Sequence, residues 1–367
     1  MVFYMPTRLI CGDDCLALNA QELKSLGSTC VIVASGQAAK ASGALNDAER
    51  ALESCGIAHF VWDCVVENPP VVDCAAAGRF AAKHGAEFIM GIGGGSALDA
   101  AKAVAVFAAN PGLGVDEASF YDKAWEHSPL PIVLVGTTAG TGSEVTKVSV
   151  LTDSKARKHS IHDDRLYATL AFGDSRYTHS CPPAVTLSCG VDVLAHAAES
   201  YFSHKADEIS RAFAVRAIRQ LMGPLADAAA GAELDGDGRR QLYEASILGG
   251  LAINTTGTCF PHNVGYYLTE NYHVPHGFAC AVFLPEMLKQ VRAYDEAYAA
   301  AFYDEVGTIE EALVTLIENC LPSFDIHMDA AEIAAALPRW ENNGSVKNTR
   351  ANVSVEMIGQ MLEALFK

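Results

Sequence analysis

Between residues 30 and 137 four short runs of unbroken apolar character recur: 30–35 (CVIVAS), 59–64 (HFVWDC), 87–92 (EFIMGI) and 131–137 (PIVLVGT). Runs this short, without polar alternation, suit parallel strands covered on both faces. The Ala-rich segments 37–55 and 71–84 between them have helical length. Such alternation predicts a doubly wound, Rossmann-like α/β layer with a parallel sheet, which binds ligands at the carboxyl ends of its strands. A further pair of runs, 147–152 and 168–173, is expected to add a hairpin or an edge extension. Beyond Pro182 and Pro183 the β-type runs nearly vanish. Ala, Leu and Glu then recur at helical spacing over 207–229, 240–253, 308–320, 330–337 and 354–366. The expected division is an α/β domain over 1–180 and an all-α domain over 181–367.

A chain of 367 residues suits two domains, and 50% hydrophobic residues supply their cores. Lys and Arg number 26 against 44 Asp and Glu, a formal charge of −18. Such a surface repels phosphate backbones and anionic lipid, so nucleic acid and membrane are not expected partners. The 11 cysteines form no CxxC pair and read as small core hydrophobes in a reducing compartment. The opening MVFYMPTRLICGDD lacks a basic leader followed by an apolar run. The longest apolar stretch, 88–109, is broken by Asp99 and Lys102, which excludes a spanning helix. A cytoplasmic location is expected.

Two loops carry the ligand signal. GIGGGSALDAAK, residues 91–102, follows an apolar run and opens a helical one. Its glycines permit close backbone approach, Ser96 is placed to cap the helix, and free N–H groups at the helix start favour a pyrophosphate. It lacks the GK[ST] of a Walker loop and follows the third run rather than the first. GTTAGTGSEVTK, residues 136–147, sets Thr137, Thr138, Thr141 and Ser143 among small residues at the end of the next run. Each loop alone also reads as a structural turn; together they make a polar crevice suited to a dinucleotide.

In the helical half, Asp192 and His196 are four apart and share a helix face, and His262 and His276 follow. One carboxylate and three imidazoles can bind Fe²⁺ or Zn²⁺ and leave a position open. By spacing alone, Asp192 and His196 also read as a solvated or capping pair, and His262 as a satisfied core histidine.

Taken in order, GGGSALDAAK, TTAGTGSE, GVDVLAHAAESY and two histidines fourteen apart ending in PHG resemble the iron-containing (group III) alcohol dehydrogenases. The likeness is collinear over about residues 30–290, and the segment from 245 to 277 is most similar to the phosphonoacetaldehyde reductase-like branch. The resemblance implies a dehydroquinate synthase-like architecture and a metal-dependent, NAD(P)-linked alcohol dehydrogenase or aldehyde reductase. Asp192, His196, His262 and His276 would be ligands of Fe²⁺ (or Zn²⁺). Gly94, Gly95, Ser96, Asp99, Thr137, Thr138, Asn68 and Lys158 would contact the cofactor. It further implies a homodimer and a small alcohol or aldehyde as substrate.

Two departures stand out. Many members carry a proton-relaying histidine four residues after the third ligand, where this chain has Tyr266; Tyr266, His273 and solvent are the candidates for that relay. The acid that accepts the adenine ribose hydroxyl in NAD-binding chains is replaced near residue 35 by Ser35 and Gly36, with Lys40 following. NADP(H) is therefore expected over NAD(H). Polyol-phosphate dehydrogenases and dehydroquinate synthase-like lyases share such a fold, but their substrates call for Lys and Arg beside His262 or His276, which the sequence lacks. A non-catalytic nucleotide-binding protein would not need all four ligand types.

Overall fold

The computed structural model describes residues 2–113 and 117–367. Two compact bodies result, one of Tyr4–Pro182 and one of Pro183–Lys367, which Phe3 joins through its ring 5.6 Å from that of Phe213. The described strands are β1 (Arg8–Cys11), β2 (Thr29–Ala34), β3 (Ala58–Trp62), β4 (Phe88–Gly93), β5 (Ile132–Gly136), β6 (Val148–Thr152), β7 (Lys158–His162) and β8 (Leu170–Gly173). Six of them form one parallel sheet in the order β1-β8-β5-β4-β2-β3.

The four apolar runs supply β2 to β5, and their side chains fill a core on each face of the sheet. Val31, Val33 and Ile89 point into one core, and Ile32, Ala34, Met90 and Ile92 into the other. Two-sided burial is why β2, β4 and β5 show no polar alternation, while β3 at the sheet edge is only partly covered. The segment 37–55 forms two helices, Gln37–Ala41 and Ala44–Ser54, because Gly43 at φ 84° turns the chain between them.

The expected hairpin is corrected. β6 pairs antiparallel with β7, Val148 opposite His162 and Thr152 opposite Lys158. β8 instead lies inside the parallel sheet, between β1 and β5. In β7 only Ile161 is buried, so that strand has no apolar run to detect.

From β2 the chain crosses to β3 and then returns to β4 on the other side of β2. Strand order therefore reverses between β2 and β4, whose carboxyl ends carry Ser35 and Gly93. Open α/β sheets bind ligands at this kind of switch point.

The second body is helical. Its central helix, Pro183–Tyr201, is buried at every residue from Gly190 to Tyr201 and packs against helices Glu208–Ala229, Gly236–Thr256 and His276–Ala281. Among the described residues, no helix is long and apolar enough to cross a membrane.

Candidate functional site

Three helices of the second body converge on one buried cluster. Asp192 and His196 face the same way from helix Pro183–Tyr201, and Glu199 continues that stripe one turn on, all three buried. His262 lies in the first turn of helix Phe260–Tyr272, and His276 opens helix His276–Ala281. From Asp192 Oδ1 the Nε2 atoms of His262, His276 and His196 lie at 3.4, 3.9 and 4.0 Å. The ring of His196 stacks on that of His262 with centroids 4.6 Å apart.

Convergence this tight needs a bare backbone. A Cβ on Gly277 would stand 1.8 Å from the Ser188 carbonyl oxygen, so only glycine lets the last of these helices seat on the first.

Glu199 is one site residue that sequence reasoning missed; its signal was the i, i+4, i+7 spacing with Asp192 and His196. Fully buried, it accepts the Nδ1–H of His262 at 2.5 Å on Oε1 and the Cys259 N–H at 2.6 Å on Oε2. That bond fixes the orientation of the imidazole, with Nε2 facing Asp192. Asp192 Oδ1 and His262 Nε2 are both buried, and neither meets a hydrogen-bond partner among the described residues. Buried polar atoms left this way are costly unless something neutralises them.

The charges of the cluster depend on one another. Burial opposes ionisation of Asp192, but the imidazoles of His196, His276 and His262 outweigh it and hold the carboxyl below its usual range. Burial pulls His262 down, while Cys280, Glu199 and Asp192 together push it well above the usual imidazole value. The donor set of one carboxylate and three imidazoles suits a borderline divalent ion. One further donor, the thiol of Cys280, sits with Asp192, His262 and His276 in a group whose ligand atoms all lie within 4.8 Å of one another.

The two relay candidates part company. Tyr266 is half-buried, and its ring stacks on His276 with centroids 5.5 Å apart. His273 is exposed and takes a left-handed φ of 56° as it ends helix Phe260–Tyr272, a turn-forming role.

In the α/β body the two Gly-rich loops lock together at the ends of β4 and β5. Gly93 and Gly136 are register partners, and the Thr137 N–H donates to the Gly93 carbonyl at 2.9 Å. A Cβ on Gly94 would lie 3.1 Å from Thr138, and one on Gly95 only 2.5 Å from Thr141. Helix Gly95–Ala109 starts with Gly94 as its cap, so Ser96 is not the cap residue. Its hydroxyl accepts the Asn68 N–H at 3.1 Å, and the Asn68 carbonyl accepts Thr152 Oγ1–H at 2.7 Å. Asn68 holds a left-handed φ of 51° in that turn.

Asp99 acts as a brace: Oδ1 accepts the Ser143 hydroxyl at 2.6 Å, and Oδ2 accepts the Val150 N–H at 2.9 Å. Burial raises its pKa, opposed by Lys102, those two bonds and the nearby charge of Lys158. Lys102 went unassigned in the sequence, although it sits one turn from Asp99. Wholly buried, its ammonium donates to the carbonyls of Ser143 (2.9 Å), Thr146 (3.0 Å) and Val148 (2.7 Å) and to Ser143 Oγ (2.7 Å). Burial pulls its pKa down to about 8 against the pull of Asp99 and Glu144.

Loops of this kind at a sheet switch point, in a chain with a buried carboxylate–imidazole cluster, are the equipment of metal-dependent nicotinamide oxidoreductases. Comparison with known proteins makes this specific. The model of iron-containing alcohol dehydrogenase matches residues 6–175, and that of the Fe-containing alcohol dehydrogenase family C-terminal region matches residues 186–338. Long-chain-alcohol dehydrogenase 1 of Geobacillus thermodenitrificans is 34% identical over 287 residues, 78% of this chain and 72% of that protein. A crystal structure of an iron-containing alcohol dehydrogenase from Thermotoga maritima is similar with a TM-score of 0.91 at 31% identity, covering 99% of both chains. Sulfoacetaldehyde reductase of Bifidobacterium kashiwanohense, solved with NAD⁺, gives 0.86 at 26% identity, covering 99% of this chain and 98% of that one. The chain belongs to the iron-containing alcohol dehydrogenase family. It is an oxidoreductase that interconverts alcohols and aldehydes with a nicotinamide cofactor.

The Lys102 contacts make a prediction. Lys102→Met strands the acceptors of Ser143, Thr146 and Val148, and losing one side of a buried polar network costs about 3–5 kcal/mol. A thermal melt is expected to show a drop on the order of 10 °C, with weakened dinucleotide binding by fluorescence titration. A melt like that of the parent would show that the ammonium is dispensable.

Proposed function

We propose that Asp192, His196, His262 and His276 hold one divalent cation, Fe²⁺ or Zn²⁺, and that the enzyme acts on a small neutral aldehyde or its alcohol with NADP(H). The observation that carries the metal reading is the buried pair Asp192 Oδ1 and His262 Nε2, 3.4 Å apart and without other partners among the described residues. When bound, the cation stabilises negative charge developing on the substrate oxygen while the nicotinamide gives or takes the hydride.

The chain's own residues do the rest. Glu199 keeps His262 in its metal-binding tautomer. Gly94, Gly95 and Ser96 offer the dinucleotide a bare backbone and the N–H groups of a helix start. Thr137, Thr138 and Asn68 complete that cradle, with Asp99 and Lys158 behind it. Tyr266, stacked on His276, moves the proton between substrate oxygen and solvent, with His273 as the alternative. Six of the eleven thiols are buried, five of them away from the metal cluster's donor group, which supports a reducing, cytoplasmic setting. A homodimer completes the reading.

The NADP(H) preference rests on the end of β2. Ser35 Oγ is buried there without a hydrogen-bond partner among the described residues, and no acid follows it. Lys40, whose charge would favour a 2′-phosphate, is held by Asp63 at 2.7 Å; with both side chains over 40% exposed, that pair is weak and readily exchanged.

Metal analysis with an NAD(P)H oxidation assay over a panel of aldehydes tests the reading as a whole. His262→Ala is expected to lose most bound metal and nearly all turnover while still binding nucleotide; normal activity would remove His262 from the ligand set. Glu199→Gln, which keeps the shape but not the charge, is expected to weaken metal affinity about 10–100-fold in a chelator competition. The kcat/KM ratio for NADPH over NADH is expected to exceed one in the parent. It should fall about 10–100-fold in Ser35→Asp, the worth of one hydrogen bond to a charged group. A parent that prefers NADH would place the discriminating position elsewhere.

A further inference from the structure

The cluster holds one donor more than the metal reading needs. Cys280 follows His276 by four residues on helix His276–Ala281, so its side chain lies one turn along the same face. It is fully buried, and its Sγ is 3.8 Å from His276 Nε2 and 3.5 Å from Nδ1. The donor atoms of Asp192, His262, His276 and Cys280 all lie within 4.8 Å of one another. Two of those donors, Asp192 Oδ1 and His262 Nε2, are among the buried atoms that lack hydrogen-bond partners among the described residues. Bond lengths of about 2.0–2.3 Å to one ion put neighbouring donors about 3–4 Å apart. The His276–Cys280 separation of 3.8 Å falls in that range, as does the 3.4 Å between Asp192 and His262.

We propose that Cys280 is a further protein ligand of this cation, adding a sulfur to the oxygen and nitrogen donors. The proposal rests on the metal reading above. Ion binding releases the thiol proton to solvent, because a coordinating thiol is deprotonated outright. The resulting thiolate makes the centre softer than a carboxylate–imidazole site and shifts its preference among divalent ions toward zinc. Neither Cys259 nor Cys320, also buried, competes for the role. The Cys259 thiol donates to the Glu199 backbone carbonyl at 3.3 Å, and Cys320 ends helix Glu310–Cys320, outside the donor group.

The test is spectroscopic and independent of turnover. X-ray absorption at the metal edge of the protein as isolated is expected to show one sulfur scatterer at about 2.3 Å. The cobalt-substituted enzyme is expected to show visible d–d bands together with a near-ultraviolet sulfur-to-cobalt charge-transfer band. Cys280→Ser should abolish the charge-transfer band and keep the d–d bands, whereas Cys320→Ser should keep both. A parent enzyme that binds cobalt, with d–d bands but no charge-transfer band and no sulfur at the metal edge, would overturn the assignment and leave the metal site standing. A parent that takes up no metal would overturn the metal reading itself, and this proposal with it. Should Cys280→Ser fail to fold, the metal-edge spectrum of the parent decides alone.

Discussion

Close packing against bare glycine backbone is the constraint on which both functional halves depend. In the helical body the bare Cα of Gly277 rests on the Ser188 carbonyl. This contact brings His276 and Cys280 within reach of Asp192, which lies one turn beyond Ser188 on the same helix. In the α/β body the loop after β4 closes on the loop after β5, the bare backbone of Gly94 and Gly95 meeting the side chains of Thr138 and Thr141. A methyl group at Gly277 or Gly95 would separate elements whose value lies in their nearness. Large core residues give each body its bulk, but the spacing of the working groups is set where side chains are missing.

Each body also buries charge, and each does so in company. Asp192 is surrounded by imidazoles, and Glu199 is saturated by His262 and the Cys259 amide. Lys102 is saturated by carbonyls and a hydroxyl, with Asp99 beside it. Isolated, any of these groups would cost several kcal/mol to bury. Of these buried groups, Asp192 is the one with an unsatisfied oxygen, and that oxygen faces the other donors. Asp192 Oδ1 and His262 Nε2, both unsatisfied and facing each other, set this cluster apart from the other buried networks.

Much of this was legible in the sequence because its signals are local. Strands β2 to β5 announce themselves as apolar runs, the two loops as glycine and hydroxyl clusters, and Asp192 and His196 as a helical pair. What escaped reading depends on partners far along the chain. β8 has the composition of a hairpin arm, yet it pairs with β1 and β5, and β7 is too polar to look like a strand. Glu199 reads as a solvated helix residue until His262 is folded against it. Cys280 reads as a small core hydrophobe until three other donors gather around it. Lys102 follows the same pattern: nothing in GGGSALDAAK says that its ammonium will be captured by a loop some forty residues on.

That capture governs how the second loop moves. A loop that offers its backbone to a ligand is ordinarily among the first segments to open, since few contacts hold it. Here three carbonyls between Ser143 and Val148 are tied to one lysine rooted in helix Gly95–Ala109. Peeling the loop away would abandon an ammonium in an apolar interior, so local breathing is suppressed and opening must involve the helix as well. The amides of this loop should therefore exchange with solvent as one cooperative unit with the helix. A ligand of this loop would meet it already in shape, with little ordering entropy left to subtract from its affinity.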